Sequence, residues 1–166
     1  MITTVVAGNP KAGSRTLDAA TRLAATLTGA DPTNIVDIVE LGSGLLGWGD
    51  EKVSAAVETV AKSDLVIVAS PTFKATYTGI LKLFLDQFAT GDGLRGVTAV
   101  PLMLGAGPAH AMAPDLLLKP VLVELGATCP AAGLYLIDST YTTDTRIADY
   151  TGRWGSTVLA SARDEA

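Results

Sequence analysis

The chain has 166 residues, 48% of them hydrophobic and 17% charged, enough to bury one sizeable core within single-domain size. A net charge of −5 without a basic block argues against nucleic acid as a partner, and one cysteine with one histidine excludes a disulfide framework and a Cys- or His-rich metal site. No apolar run is long enough to span a bilayer and no basic leader opens the chain, so the expectation is a cytoplasmic protein without a membrane partner.

The first apolar run, Ile2 to Ala7, reads as a buried strand. It opens into Gly8-Asn9-Pro10-Lys11-Ala12-Gly13-Ser14-Arg15-Thr16, where glycines allow close backbone approach and the hydroxyls of Ser14 and Thr16 join the cations Lys11 and Arg15 at a helix start. A helix N-terminus with those groups suits phosphate, a reading favoured over a tight turn with two solvated basic residues. Ser14 fits an N-cap, Leu17, Ala20, Leu23, Ala24 and Leu27 form one face, and Gly29 ends the helix. A second strand is expected from Asn34 to Leu41, followed by the loop Gly44 to Gly49, whose Trp48 is a surface anchor or a cover over a ligand. Glu51 to Lys62 carries a short helical stripe.

The third strand, Asp64 to Ala69, runs into Ser70-Pro71-Thr72-Phe73-Lys74-Ala75-Thr76-Tyr77-Thr78-Gly79. Pro71 fixes φ, Phe73 offers a ring, and Thr72, Lys74, Thr76 and Thr78 offer polar side chains, as a flat aromatic ligand needs. A plain turn with Phe73 tucked into the core weighs evenly against it. Tyr77, Ile80, Leu81, Phe84, Leu85 and Phe88 then repeat at helical spacing, as core or as a subunit contact. The fourth strand, Val97 to Leu104, leads into Gly105-Ala106-Gly107-Pro108-Ala109-His110, where His110 either meets a ligand edge or only orders the loop. Leu116 to Leu125 is apolar on nearly every side, with Pro120 calling for a kink or a widened turn. A fifth strand, Gly133 to Ile137, and a helix carrying Ile147, Tyr150, Thr151, Trp154 and Val158 complete the chain.

Strands and helices in strict alternation, five of each, fit an α/β, flavodoxin-like, doubly wound five-stranded parallel sheet of order 2-1-3-4-5, a single domain over residues 1–166. Its topology sets the loops after strands 1, 3 and 4 on one rim. The phosphate loop lacks a Walker lysine, since Ser14 follows its second glycine, and lacks G-x-G-x-x-G. The only cysteine, Cys129, is far from it, and Ser70 stands where a receiver domain ends strand 3 in Asp. A mononucleotide monophosphate remains.

With Gly107-Pro108-Ala109-His110, Leu118-Lys119-Pro120-Val121-Leu122 and Leu125-Gly126-Ala127, these motifs resemble the NAD(P)H-dependent FMN reductase family, nearest to reductases serving two-component monooxygenases. The resemblance implies that residues 9 to 16 (Asn9, Lys11, Ser14, Arg15 and Thr16) hold the FMN phosphate, that Pro71, Thr72, Phe73 and Lys74 line the isoalloxazine, and that Gly105, Ala106, Gly107 and His110 close its other edge. It implies hydride transfer from NAD(P)H to FMN without a catalytic side chain or metal, a homodimer or homotetramer, and delivery of reduced flavin to a monooxygenase or electrons to a quinone or azo acceptor. The alternative is a flavodoxin-type electron carrier without NAD(P)H activity. Phe73 stands where the family often has Tyr, and Leu116 where its sulfonate-utilisation members often have Tyr.

Overall fold

The structure, a computed structural model, describes residues 1–164; residues 165–166 lie outside the described residues. The strands β1 (Thr3–Ala7), β2 (Asn34–Asp37), β3 (Leu65–Pro71), β4 (Thr98–Gly105) and β5 (Leu134–Ile137) form one parallel sheet in the order β2-β1-β3-β4-β5. The helices between and after them are α1 (Arg15–Thr28), α2 (Glu51–Ala61), α3 (Gly79–Leu85), α4 (Lys119–Glu124) and α5 (Arg146–Asp164). Every residue of β1, β3 and β4 is buried, as their near-continuous apolar composition requires when helices cover both faces. Alternate strand residues face opposite layers. Val5, Ile67 and Leu102 pack with Leu23 of α1 and Val158 of α5, whereas Val6, Val68 and Met103 pack with Val60 of α2, Phe84 of α3 and Leu122 of α4.

Pro101 lies inside β4, where a proline ordinarily removes a ladder bond. Its nitrogen shares the side of the strand on which Ala99 donates to the Thr128 carbonyl, and pairing with β5 begins only opposite Leu102. The missing donor therefore falls in a gap between partners.

Two expected elements differ markedly in extent, and the widened turn expected at Pro120 is present. The second strand stops at Asp37 because Ile38–Leu46 winds into 3-10 turns broken at Gly42, whose φ of 61° no strand accommodates. The helix expected from Tyr77 begins at Gly79, since Thr78 caps it by accepting from the Leu81 N–H. It ends at Leu85, yet Phe88 stays in the core, edge-on to Phe84 at 5.3 Å, so the apolar stripe is mostly core. Around Pro120, Pro114–Leu118 forms a π-helical turn ahead of α4, the widening that a ring without an N–H favours.

Register brings the loops after β1, β3 and β4 to one rim: Ala7 pairs with Ala69, Pro71 with Leu104 and Gly105 with Ile137. This is the carboxyl edge at which open α/β sheets bind ligands.

Candidate functional site

The loop after β1 is braced by its own side chains. Asn9 accepts from the Lys11 N–H at 2.9 Å and donates from Nδ2 to the Thr16 hydroxyl at 3.0 Å, tying the loop's start to the first turn of α1. Ser14 is the N-cap, its hydroxyl accepting from the Leu17 N–H at 3.3 Å. The N–H groups of Arg15 and Thr16 precede the first intrahelical bond and have no partner within the helix. Asp37, buried at the end of β2, accepts from the Gly13 N–H at 3.0 Å and holds the loop where Gly13 takes a φ of 60°. Its other carboxylate oxygen is buried without a hydrogen-bond partner.

Along the rim, the Thr72 N–H donates to the Leu104 carbonyl at 2.6 Å, fixing the β3 loop to β4. Phe73 and Thr76 exchange backbone hydrogen bonds around a two-residue tip in which Lys74 and Ala75 have φ of 51° and 72°. Two consecutive side-chain-bearing residues in the left-handed region are strained, and such strain gathers at ligand sites. Phe73 is half exposed at the lip, so its ring is not tucked into the core. Thr78 is spent on structure: its hydroxyl donates to the Gly8 carbonyl at 2.5 Å, and its N–H donates to Ser70.

Gly105 is glycine because of Tyr135. A Cβ there would sit 1.9 Å from the Tyr135 hydroxyl, which crosses under the loop to donate to the Gly107 carbonyl at 2.8 Å. His110 stands exposed at the end of the short 3-10 turn Pro108–His110.

These loops enclose two adjoining clefts. One, of about 450 Å³, is lined by Asn9, Lys11, Ser14, Arg15, Thr16, Pro71, Thr72, Phe73, Gly105 and Ala106. The other, of about 580 Å³, is lined by Thr72, Lys74, Gly105, Ala106, Gly107 and His110. Thr72, Gly105 and Ala106 border both, so the two clefts adjoin and bring together the residues expected at the phosphate, ring and ring-edge positions, whereas Thr76, Thr78 and Trp48 line neither. At the junction the Thr72 hydroxyl oxygen is buried without a hydrogen-bond partner. Sequence reasoning missed Asp37, Tyr135 and Asp138. Asp37 ends β2 and Asp138 follows β5, where the rim rule applied to those strands would have found them, whereas Tyr135 lies inside β5 and reaches the site only through its long side chain.

The chain matches the sequence profile described as NADPH-dependent FMN reductase over residues 1–142. It is 34% identical over 140 residues to the NADH-dependent FMN reductase SfnF of Pseudomonas putida, covering 79% of this chain and 74% of that protein. It is 40% identical over 82 residues to an FMN reductase (NADPH) of Escherichia coli (strain K12), covering 49% of this chain. That match spans only 42% of the length of the E. coli relative. The apo form of the NADH:FMN oxidoreductase EMOB superimposes with a TM-score of 0.81 at 26% identity, over 98% of this chain and 88% of that one. A sheet of this order and these matches together place the chain in the NADPH-dependent FMN reductase family.

Proposed function

We propose that the chain reduces FMN at the expense of NAD(P)H, with the phosphate at the start of α1 and the ring along the β3 and β4 loops. The observation that carries this reading is the continuous cleft, cationic at one end and bearing an orphaned buried hydroxyl, that of Thr72, in the middle. A buried polar atom without a partner is costly, and the polar edge of a ring ligand offers the bond it lacks. FMN, when bound, supplies a ring that accepts hydride from reduced nicotinamide.

The protein's contribution is position and charge. Arg15, Lys11 and the free N–H groups of α1 hold a phosphate, helped by the positive end of the helix dipole. The backbone of Gly105 to Gly107 borders the ring's polar edge, where fixed donors favour developing negative charge. Phe73 stands at the lip, and its half-exposed ring leaves a flat apolar surface beside the first cleft. The cleft of about 580 Å³ lined by Gly105 to Gly107 takes the ring, and its open side leaves a face on which a nicotinamide can stack.

We extend the proposal to a cytoplasmic protein whose reduced flavin is used by a monooxygenase, assembled as a dimer or tetramer through Leu116, Leu117 and Val123. These side chains are 65%, 39% and 53% exposed near the clefts and on α4. Among the described residues no helix is long and apolar enough to cross a membrane.

The deciding experiment follows NADH and NADPH absorbance with and without FMN, beside an FMN fluorescence titration. FMN-dependent oxidation of either nucleotide is expected. Tight FMN binding without nucleotide oxidation would instead identify an electron carrier.

A further inference from the structure

Among the residues lining the phosphate-loop cleft, Asp138 is the charged group to which the FMN site gives no task. It follows β5, and its N–H donates to the Gly105 carbonyl at 3.0 Å, which fixes its backbone against the β4 loop. Its carboxylate lies 3.4 Å from Arg15 Nη1, and its carbonyl accepts from the same nitrogen at 3.2 Å. The pair thus bridges the first residue of α1 and the end of β5 across the cleft. The two side chains are 65% and 40% exposed, whereas Ser14 and Thr16 are buried, so the bridge forms the outer edge of the phosphate subsite.

A carboxylate in a site for an anion needs an explanation, because it offsets part of the Arg15 charge and repels any anion beyond it. The cost falls unequally on different ligands. A terminal phosphate seated at the start of α1 lies inside the bridge and keeps Arg15 within reach. A second phosphate joined to the first has to lie beyond that subsite, and Asp138 stands at its exposed edge.

We propose that Asp138 is a specificity residue that restricts this site to a flavin monophosphate, holding Arg15 across the mouth and setting a carboxylate where the diphosphate of flavin adenine dinucleotide would emerge. The inference rests on the reading of this cleft as an FMN site. It assigns to Asp138 the exclusion of the longer ligand and leaves affinity for FMN mainly to Arg15 and the helix start.

The test is a fluorescence-quench titration of riboflavin, FMN and flavin adenine dinucleotide with the unaltered protein, Asp138→Asn and Asp138→Ser. The unaltered protein should bind FMN at least tenfold more tightly than the dinucleotide. In both variants that ratio should fall at least fivefold, mainly through tighter dinucleotide binding, with riboflavin affinity within twofold of its starting value. High salt should erase the gain, because the change is electrostatic. An unchanged ratio in folded variants, or an equal shift for all three flavins, overturns the inference while leaving the FMN site standing. A wild-type protein that binds none of the three overturns the site and the inference together.

Discussion

Arg15 and Ser14 are neighbours on one loop with different tasks. Arg15 is an exposed cation at the cleft edge, whereas Ser14 is buried and caps α1. Arg15→Ala should therefore weaken FMN binding by up to about tenfold and leave riboflavin binding unchanged, since a charge-assisted contact is worth roughly 1.5 kcal/mol before solvent screening at this exposed site reduces it. Ser14→Ala should cost about 1 kcal/mol of stability, typical of a lost N-cap, and impair both flavins as the helix start frays. Paired titrations and thermal melts check both outcomes, and equal losses for the two flavins in Arg15→Ala would place the phosphate elsewhere.

Asp18, one turn further along α1, ties the helix to the loop after β5. It accepts from Arg22 Nε at 2.7 Å and from the Tyr141 hydroxyl at 2.8 Å. Partial burial pushes its carboxyl up, but the hydrogen bonds from Arg22 and Tyr141, with the Arg22 charge, outweigh this and hold it below its ordinary value. A carboxylate lowered by folding stabilises the native state at pH values above its unfolded pKa, and that stability is lost as pH falls through the folded value. Asp18→Asn should accordingly melt at lower temperature than the unaltered protein at neutral pH, with the gap closing below about pH 4. A gap that does not vary with pH would show that the contact acts through shape alone.

At the scale of elements, β1, β3 and β4 were legible because burial on both faces leaves an uninterrupted apolar run. The second strand was drawn too long because Ile38, Val39 and Leu41 continue the apolar pattern while the backbone has already turned, and only Gly42 marks the break. The α3 stripe kept its true core face despite wrong ends, since the turn after Leu85 returns Phe88 to the same side. The lip of the site was legible in composition but not in conformation: nothing in Phe73-Lys74-Ala75-Thr76 announces two left-handed residues, because glycine is the usual signal. That conformation yields a prediction. A side chain in the left-handed region costs roughly 1–2 kcal/mol, and glycine's extra unfolded-state entropy costs roughly 0.4–1 kcal/mol. Ala75→Gly should thus stabilise the fold by about 0.5–1 kcal/mol, read as a higher melting temperature, while the looser lip weakens flavin binding.

The whole molecule exposes its apolar surface unevenly. Most of the α3 stripe is inside, with Leu81, Phe84, Leu85 and Phe88 buried, so the exposed apolar side chains gather elsewhere: on Leu46 and Trp48 at the end of the 3-10 turns, and on Met112, Leu116 and Leu117 around the π-helical turn with Val123 of α4. A hollow of about 290 Å³ lined by Ala75, Pro108, Ala109, His110, Met112, Leu116 and Leu117 continues this surface into the second cleft, sharing Ala75, Pro108, Ala109 and His110 with it. Apolar surface of this kind is costly in water, and a second copy covering it would also border the second cleft. Assembly and ligand binding should then be linked, each strengthening the other by mass action. Leu117→Lys and Val123→Lys together should yield smaller species by light scattering and weaken FMN binding several-fold, although neither residue lines the phosphate-loop cleft. Added FMN should shift partly dissociated protein back toward the larger species. A monomer at micromolar concentration with full reductase activity would show that this surface serves another purpose.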